Sequence, residues 1–182
     1  MPATPTAGQL QAAYGATLPD LLAQGLRLLL CGINPSLYSG HVGLHFGRPG
    51  NRLWTVLHTS GLTTRRLAPA DADELLAAGI GVTNLVARST ARADELTATE
   101  LRDGVARLTA TAELWRPRWV AVLGISAYRT AFGRPRAVVG RQDERLGPSG
   151  LWVLPNPSGL NATYQLPALT TLYAELGEAA GG

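Results

Sequence analysis

The sequence predicts an α/β protein with a three-layer α/β/α sandwich and a mainly parallel sheet of four to five strands. Four short apolar runs occur along the chain, and each is followed by a segment with helical periodicity. The runs are continuously apolar rather than alternating, which is typical of strands that helices cover on both faces. Alternation of such strands with helices favours a parallel sheet in a layered fold.

The predicted elements follow from these runs and from the periodicity between them. The strands are 26–34, 79–86, 119–126 and 151–158. The helices are 51–60, 71–78, 98–115, 125–132 and 167–178. In the longest helix, apolar residues recur at i+3 and i+4 on one face, namely Leu101, Val105, Leu108, Ala112 and Trp115. Pro167 suits the first turn of the last helix.

The length of 182 residues suits one domain. We expect residues 1–20 to form a loosely ordered lead-in and residues 21–182 to form the domain. The lead-in lacks the basic start and apolar core of a signal peptide, and no apolar run approaches the roughly 20 residues that span a bilayer. We therefore expect a cytoplasmic location, associated with the nucleoid if the partner is DNA.

Cysteine and histidine usage argues against a metal centre. The single cysteine, Cys31, excludes an internal disulfide and a four-cysteine zinc or iron–sulphur site, and its apolar strand predicts a buried side chain. His41 and His45 have a spacing that suits a metal on a helix, but "SGHVGLHFGRPG" contains too many glycines to be helical. We expect no metal and no cofactor.

The basic residues narrow the chemistry further. All 16 are arginine, which compositional bias explains, and lysine is absent from the chain. No side-chain amine can therefore form a Schiff base, and lysine-based covalent catalysis is excluded. The net charge of +3 permits a polyanionic partner without requiring one.

Asparagines follow three of the predicted strands, in "GINPS", "TNLVARS" and "LPNPSGLN". Because open parallel sheets bind ligands beyond the carboxyl ends of their strands, Asn34, Asn84 and Asn156 could converge on a ligand. Alternatively, each asparagine only closes a turn between a strand and a loop. The chain contains no GxGxxG, P-loop or GxSxG motif, which argues against a nucleotide-binding or serine-hydrolase site.

The same segments resemble a known family. "GINPSLYSG", "HFGRPGNRLW", "GVTNLVARST" and "LWVLPNPSGLNA" occur in the order and spacing of the mismatch-specific uracil-DNA glycosylases, the branch shared with thymine-DNA glycosylase. The resemblance covers roughly residues 26–177. It implies an α/β/α sandwich with a mainly parallel sheet. It also implies a monofunctional glycosylase that rotates a base out of the duplex and hydrolyses its N-glycosidic bond.

The resemblance also implies roles for residues of a base pocket. Asn34 would orient the attacking water beside the sugar, and Phe46 would stack on uracil. Backbone groups around Ile33 and Phe46 would read the base. The complete set that we assign to the base pocket is Ile33, Ser39, Phe46, Asn84 and Asn156. An amide positions water but cannot take its proton, so a slow enzyme is expected.

A second implied feature is a wedge loop, "NPSGLN" (156–161). Leu160 would insert between bases and replace the stacking lost when the target base leaves the helix. Gly159 and Asn161 would offer backbone groups to the guanine left without its partner. The alternative is that Leu160 is an ordinary core residue.

The chain departs from the family pattern at several positions. Ser36 stands where glycine is common, and Asn84 stands where relatives can have lysine. The pair at 161–162 is Asn-Ala, where relatives can have serine and arginine. In "ARADEL", Asp94 could act as the general base that Asn34 cannot supply, or could be a solvated charge near a helix start.

Two classes of function remain open from the sequence. The first is a glycosylase that excises uracil, and related mismatched or damaged bases, in base-excision repair. The second is a damage-binding module that hydrolyses poorly and recruits later repair proteins. In both cases the expected partner is double-stranded DNA with U·G or related mismatches, bound by a monomer.

Overall fold

A computed structural model describes residues 4–181 and contains one five-stranded sheet with the order β2-β1-β3-β5-β4. The strands are β1 (Leu28–Gly32), β2 (Ile80–Asn84), β3 (Trp119–Leu123), β4 (Gly140–Leu146) and β5 (Ser149–Leu154). Neighbouring strands are parallel except for β4, which runs antiparallel to β5. The predicted mainly parallel α/β fold is therefore confirmed.

Seven α-helices accompany the sheet among the described residues. They are α1 (Ala7–Ala12), α2 (Leu37–Val42), α3 (Leu53–Thr59), α4 (Ala72–Ala77), α5 (Ala98–Trp115), α6 (Ile125–Phe132) and α7 (Leu166–Gly181). The five predicted helices match α3 to α7 within three residues at each end. Between residues 4 and 181, no helix has both the length and the apolar composition needed to cross a bilayer.

Side chains alternate between two cores on the opposite faces of the sheet. On β1, Leu28 and Leu30 face a core that includes residues of α3, α4 and α7. Leu29 and Cys31 face the other core, against α5 and α6. Cys31 is fully buried as predicted, and burial raises the pKa of its thiol, which stays protonated. The three layers follow directly from this alternation.

Helix α5 lies unusually close to the segment that follows β2. The Thr97 and Glu100 side chains form a reciprocal capping box at its start. At Gly104, a β-carbon would stand 2.3 Å from the Leu85 carbonyl oxygen, so glycine is required for this approach. The close packing holds the loop after β2 against the body of the protein.

Strand β4 was not predicted from the sequence. Its residues alternate between exposed and partly buried positions, and Arg141, Asp143 and Arg145 are exposed. Such an alternating, charged pattern is typical of an edge strand rather than of the continuously apolar strands in the centre of the sheet.

The expectation of a loosely ordered lead-in over 1–20 is wrong for the described part of that segment. Residues 7–12 form α1, with a capping box at Thr6 and Gln9. Leu21 pairs with Val82 through two backbone hydrogen bonds of 2.9 Å, and Thr17 pairs with Arg88. The physical reason is that these contacts satisfy the otherwise open edge of β2 and the loop after it. Residues 1–3 lie outside the described range.

The glycine-rich segment after β1 is also partly helical, contrary to expectation. The Ser36 hydroxyl accepts the backbone N–H of Ser39 and caps α2, which ends at Gly43 with a φ of 72°. His41 lies in the last turn of α2, and His45 lies beyond it. Within residues 4–181, no cluster of His, Cys, Asp and Glu side chains forms a metal site.

Candidate active site

A cavity of about 460 Å³ opens at the carboxyl ends of the parallel strands. Asn34 follows β1, Asn84 ends β2 and Asn156 follows β5, and all three line this cavity. The predicted convergence of the three asparagines is therefore observed. We call this cavity the base pocket, after the role that the sequence resemblance implies for it.

The Asn34 amide has one defined orientation. Its Nδ2 donates to the Arg88 carbonyl at 2.9 Å and to the Thr90 hydroxyl at 2.8 Å. The Thr90 hydroxyl in turn donates to the Arg92 carbonyl at 2.7 Å, so its oxygen is free to accept. Both Nδ2 hydrogens are thus committed, and Oδ1 accepts no hydrogen bond from the described residues. Asn34 therefore presents an acceptor to the base pocket.

The backbone around Asn34 is fixed against the loop after β2. The N–H groups of Leu85 and Val86 donate to the Gly32 and Ile33 carbonyls, each at 2.9 Å. The Thr90 N–H donates to the Pro35 carbonyl at 3.2 Å. A proline here removes one backbone donor and fixes φ, which suits a segment that presents a side chain rather than continues a strand.

Phe46 lines the pocket in a strained backbone conformation, with a φ of 50°. Trp54 Nε1 donates to its carbonyl at 3.2 Å, and the buried Ser39 hydroxyl accepts the N–H of Gly47 at 3.1 Å. The ring lies against Gly32, where a β-carbon would stand 3.2 Å from Phe46 Cζ. Ser39 and Trp54 thus hold the backbone at Phe46 and Gly47, and the Phe46 ring lies beside the end of β1.

The Asn84 amide contacts a buried histidine. His45 Nε2 lies 2.8 Å from the Pro19 carbonyl and must carry the proton there, so its Nδ1 can accept from Asn84 Nδ2 at 3.4 Å. Burial lowers the pKa of His45, opposed by the Pro19 hydrogen bond and by Asp20. Asn84 Oδ1 lies beside Gly32, where a β-carbon would approach it to 2.5 Å. Asn84 therefore also presents its oxygen beside Phe46.

Asn156 has a structural task at the start of the wedge loop. Its Oδ1 accepts the Ser158 N–H at 2.9 Å, and its carbonyl accepts from Asn161 Nδ2 at 3.0 Å. This is the turn-closing role that the sequence left open as an alternative. Ile33 also lines the base pocket.

Leu160 stands at the tip of the wedge loop, and the residue is 75% exposed. The alternative of a core leucine is therefore excluded. Gly159 lies directly against the neighbouring loop, because a β-carbon there would stand 2.7 Å from the Gly50 carbonyl oxygen. Leu160 and Asn161 both line the mouth of the base pocket.

Asp94 lies at the rim of the base pocket, in a short 3-10 turn (Ala93–Glu95). Its carboxylate accepts from Arg92 Nε at 2.9 Å, and both side chains are largely exposed. Among the pocket-lining residues within 4–181, Asp94 is the one carboxylate.

Sequence reasoning missed three residues that organise the site, namely Thr90, His45 and Arg52. Thr90 and His45 orient the two amides described above. Arg52 donates four side-chain hydrogen bonds to carbonyls in and beside the wedge loop. His45 and Arg52 lie within the quoted segment "HFGRPGNRLW", but nothing in their spacing identifies the atoms that they bind.

Comparison with known proteins identifies the family of the chain. The model of the uracil DNA glycosylase superfamily matches residues 19–177, which is most of the chain. The chain belongs to the uracil DNA glycosylase superfamily. Membership indicates a DNA glycosylase, a hydrolase of DNA repair that acts on DNA. The matched range contains every residue that we have placed in the pocket and the wedge loop.

A solved structure supports the fold of this superfamily member. The chain is similar to the solution NMR structure of a candidate uracil DNA glycosylase from Methanosarcina acetivorans, with a TM-score of 0.61 and 20% sequence identity. The match covers 90% of this chain and 98% of the other. At this identity the similarity concerns the fold alone.

Proposed function

We propose that this protein is a monofunctional glycosylase that excises uracil, and related mismatched or damaged bases, by base flipping and attack of water. The observation that carries the proposal is the Asn34 amide. Its two hydrogens are held by Arg88 and Thr90, so its oxygen is left to accept a hydrogen bond from water at the pocket wall. The branch shared with thymine-DNA glycosylase is part of this proposal and rests on the sequence motifs.

The pocket offers groups that suit a flipped pyrimidine. The Phe46 ring supplies an aromatic surface, and the Asn84 amide presents a hydrogen-bond acceptor beside it. An imide N–H of uracil would donate to that oxygen, and Ser39, Ile33 and Asn156 would complete the wall. Lysine at residue 84, as in some relatives, would present only donors.

The reaction breaks the bond between the sugar C1′ and the base nitrogen, and the electron pair leaves with the base. Positive charge develops on the sugar and negative charge on the departing base, so hydrogen-bond donors near the base lower the barrier. The water oxygen bonds to C1′ and its proton must leave. Asn34 can orient the water but cannot take this proton, and Asp94 is the proposed acceptor.

The wedge loop would open the duplex on the same face. Leu160 would enter the space left by the flipped base, which compensates for lost stacking. Gly159 and Asn161 would contact the guanine opposite. A monomer is sufficient, because one chain supplies both the base pocket and the wedge loop. The monomer would act on DNA in the nucleoid.

The second candidate function is a damage-binding module with weak hydrolysis. It is favoured by one observation: the single carboxylate at the pocket, Asp94, is paired with Arg92 and exposed to solvent. A site without an effective general base would bind a flipped lesion but would hydrolyse its N-glycosidic bond only slowly.

Release of free base under multiple-turnover conditions separates the two functions. Matched duplexes with U·G, T·G and U·A pairs, and a single strand with uracil, would be incubated with catalytic amounts of protein. We expect repeated release of uracil from U·G. Tight binding of U·G without turnover would support the binding module, and neither binding nor release would contradict both.

A further inference from the structure

We infer that Arg52 is a positioning residue that holds the wedge loop in its duplex-opening conformation before DNA binds. This inference rests on the proposed function, because it assigns a purpose to the loop that carries Leu160. Arg52 immediately precedes α3 in the chain.

Arg52 binds the wedge loop through both its side chain and its backbone. Nε donates to the Pro157 carbonyl at 3.3 Å, and Nη2 donates to the carbonyls of Ser158 at 2.7 Å and Asn161 at 3.0 Å. Nη1 donates to the Tyr164 carbonyl, just beyond the loop, at 2.7 Å. The backbone N–H of Arg52 also donates to the Pro157 carbonyl at 3.1 Å. The guanidinium thus joins both ends of the loop.

Among the described residues, Arg52 is the one hydrogen-bond partner of the wedge loop that lies outside the segment 156–165. Residues 159, 160, 162 and 163 are exposed, so between Ser158 and Tyr164 no side chain is anchored in a core. The remaining hydrogen bonds are local, such as the Asn161 N–H to the Ser158 carbonyl at 3.0 Å. Because hydrogen bonds to the Arg52 side chain order the wedge loop, the conformation of the loop depends strongly on that side chain.

The shape of the guanidinium explains why arginine is needed. Its planar fork carries five N–H donors in fixed directions, and four hydrogen bonds use them here. Lysine would keep the charge but offers a single nitrogen on a flexible stem, which cannot reach carbonyls on both sides of the loop together.

The position of Arg52 also links the wedge to the base pocket. Trp54, two residues later, holds the Phe46 carbonyl, while Arg52 holds the loop that bears Leu160. The start of α3 is therefore a common support for the residue that would receive the base and the residue that would replace it. A wedge that is already ordered avoids the entropic cost of ordering the loop when it enters the base stack.

The test compares Arg52→Lys with the parent on duplex U·G and on single-stranded uracil DNA, under single-turnover conditions. We expect duplex excision to fall about tenfold and single-strand excision to change less than about twofold, because only the duplex requires the wedge. In the Leu160→Ala background, Arg52→Lys should cause little further loss on the duplex, since the two act as a unit. Equal losses on both substrates, or losses that add fully with Leu160→Ala, would overturn the inference.

Arg27→Lys is a matched control. Arg27 also binds carbonyls, those of Ala78 at 2.8 Å and Leu62 at 2.7 Å, but it precedes β1 and lies at the other end of the sheet. This variant should leave the ratio of duplex to single-strand excision unchanged. A similar change of that ratio in Arg27→Lys would attribute the effect to general destabilisation and would overturn the inference.

Amide hydrogen exchange without DNA tests the loop independently of catalysis. In Arg52→Lys, the amides of Leu160 and Asn161 should exchange faster, whereas those of β3 should keep their protection. Unchanged exchange in the loop would overturn the inference. If the parent releases no base from any substrate, the proposed function fails, and this measurement still decides whether Arg52 orders the loop.

Discussion

At the scale of the residue, the orientation of one amide determines what the pocket can do. Asn34 could in principle present either its nitrogen or its oxygen. The Arg88 carbonyl and the Thr90 hydroxyl accept both of its hydrogens, and the oxygen remains for a ligand. An amide oxygen accepts a hydrogen bond from water and orients the water molecule, but it does not remove the proton.

Replacing Asn34 by alanine should lower base excision on the order of 100-fold, because loss of orientation alone removes much of the catalytic effect. The thermal midpoint and the affinity for U·G duplex should stay close to those of the parent. The measurement is the single-turnover excision rate. Thr90→Val removes the acceptor for Asn34 Nδ2 and should lower the rate less than Asn34→Ala does. Thr90→Ser keeps the hydroxyl and should keep a rate close to that of the parent.

Replacing Asp94 by asparagine tests the proposed general base. If Asp94 accepts the proton from water, the variant should carry out the chemical step more slowly. Its affinity for DNA should stay close to that of the parent. A loss of rate at unchanged affinity separates a proton acceptor from a residue that only binds DNA. The measurements are the single-turnover excision rate and the affinity for U·G duplex.

Glu95→Gln is the control for Asp94, because Glu95 lies in the same turn and accepts from the Arg92 backbone N–H. It should keep both the parent's rate and the parent's affinity for U·G duplex. An Asp94→Asn protein that excises uracil at the parent's rate would show that Asp94 is only a solvated charge.

Candidate site residues could be predicted from the sequence only where a motif marks them. Asn34, Asn84 and Asn156 follow predicted strands, and a parallel sheet brings such positions to one edge. Their partners could not be predicted, since Asn34 is 56 residues from Thr90 and Arg52 is 106 residues from Ser158. Contacts over these distances depend on tertiary structure, which no local pattern encodes.

At the scale of the element, prediction succeeded where burial leaves a pattern. Four strands are buried along nearly their whole length and are mostly apolar, and α5 carries a 3.6-residue apolar period, so the sequence predicts both kinds of element. Strand β4 was missed because one of its faces is exposed and the other is mostly only partly buried, which gives an alternating sequence rich in charges. Helix α2 was missed because its stability depends on the Ser36 cap rather than on residue propensity.

The wedge loop gives the prediction that belongs to this scale. Leu160→Ala should lower excision from a stacked duplex by about tenfold and leave single-strand excision nearly unchanged, because only the duplex leaves a space to be filled. Parallel single-turnover rates on U·G duplex and single-stranded DNA measure the difference. Equal losses on both substrates would indicate that the side chain supports the fold.

At the scale of the whole molecule, buried His45 makes stability depend on pH. Burial lowers the pKa of His45 below its ordinary value of 6.5, so the unfolded chain binds a proton more readily than the folded one. Stability should therefore be lost as the pH falls below about 6.5 and be fully present above it.

His45→Gln should reduce this loss, since glutamine can still donate to the Pro19 carbonyl but does not titrate. Thermal unfolding between pH 5 and pH 8 measures the effect, with His58→Gln as the control at a second histidine. If His45→Gln keeps the parent's full pH dependence, other groups are responsible for it.

The absence of lysine gives the second prediction for the whole molecule. With all 16 basic side chains being arginine, the protein should leave an intact abasic site rather than nick the strand. Alkaline treatment should be required to cleave the product. A covalent protein–DNA adduct trapped by borohydride would contradict this, unless it formed through the terminal amine.

Asn84 and the wedge loop are held by different elements, and this has a consequence for how such an enzyme changes over generations. Residue 84 stands at the end of β2 and contacts His45 and Gly32, whereas the wedge loop depends on Arg52 at the start of α3. Under the proposed function, a substitution at residue 84 would alter which base edge is accepted and leave the opening of the duplex intact. Lineages would then exchange one lesion for another by single mutations, while the step of invading the double helix would be inherited unchanged.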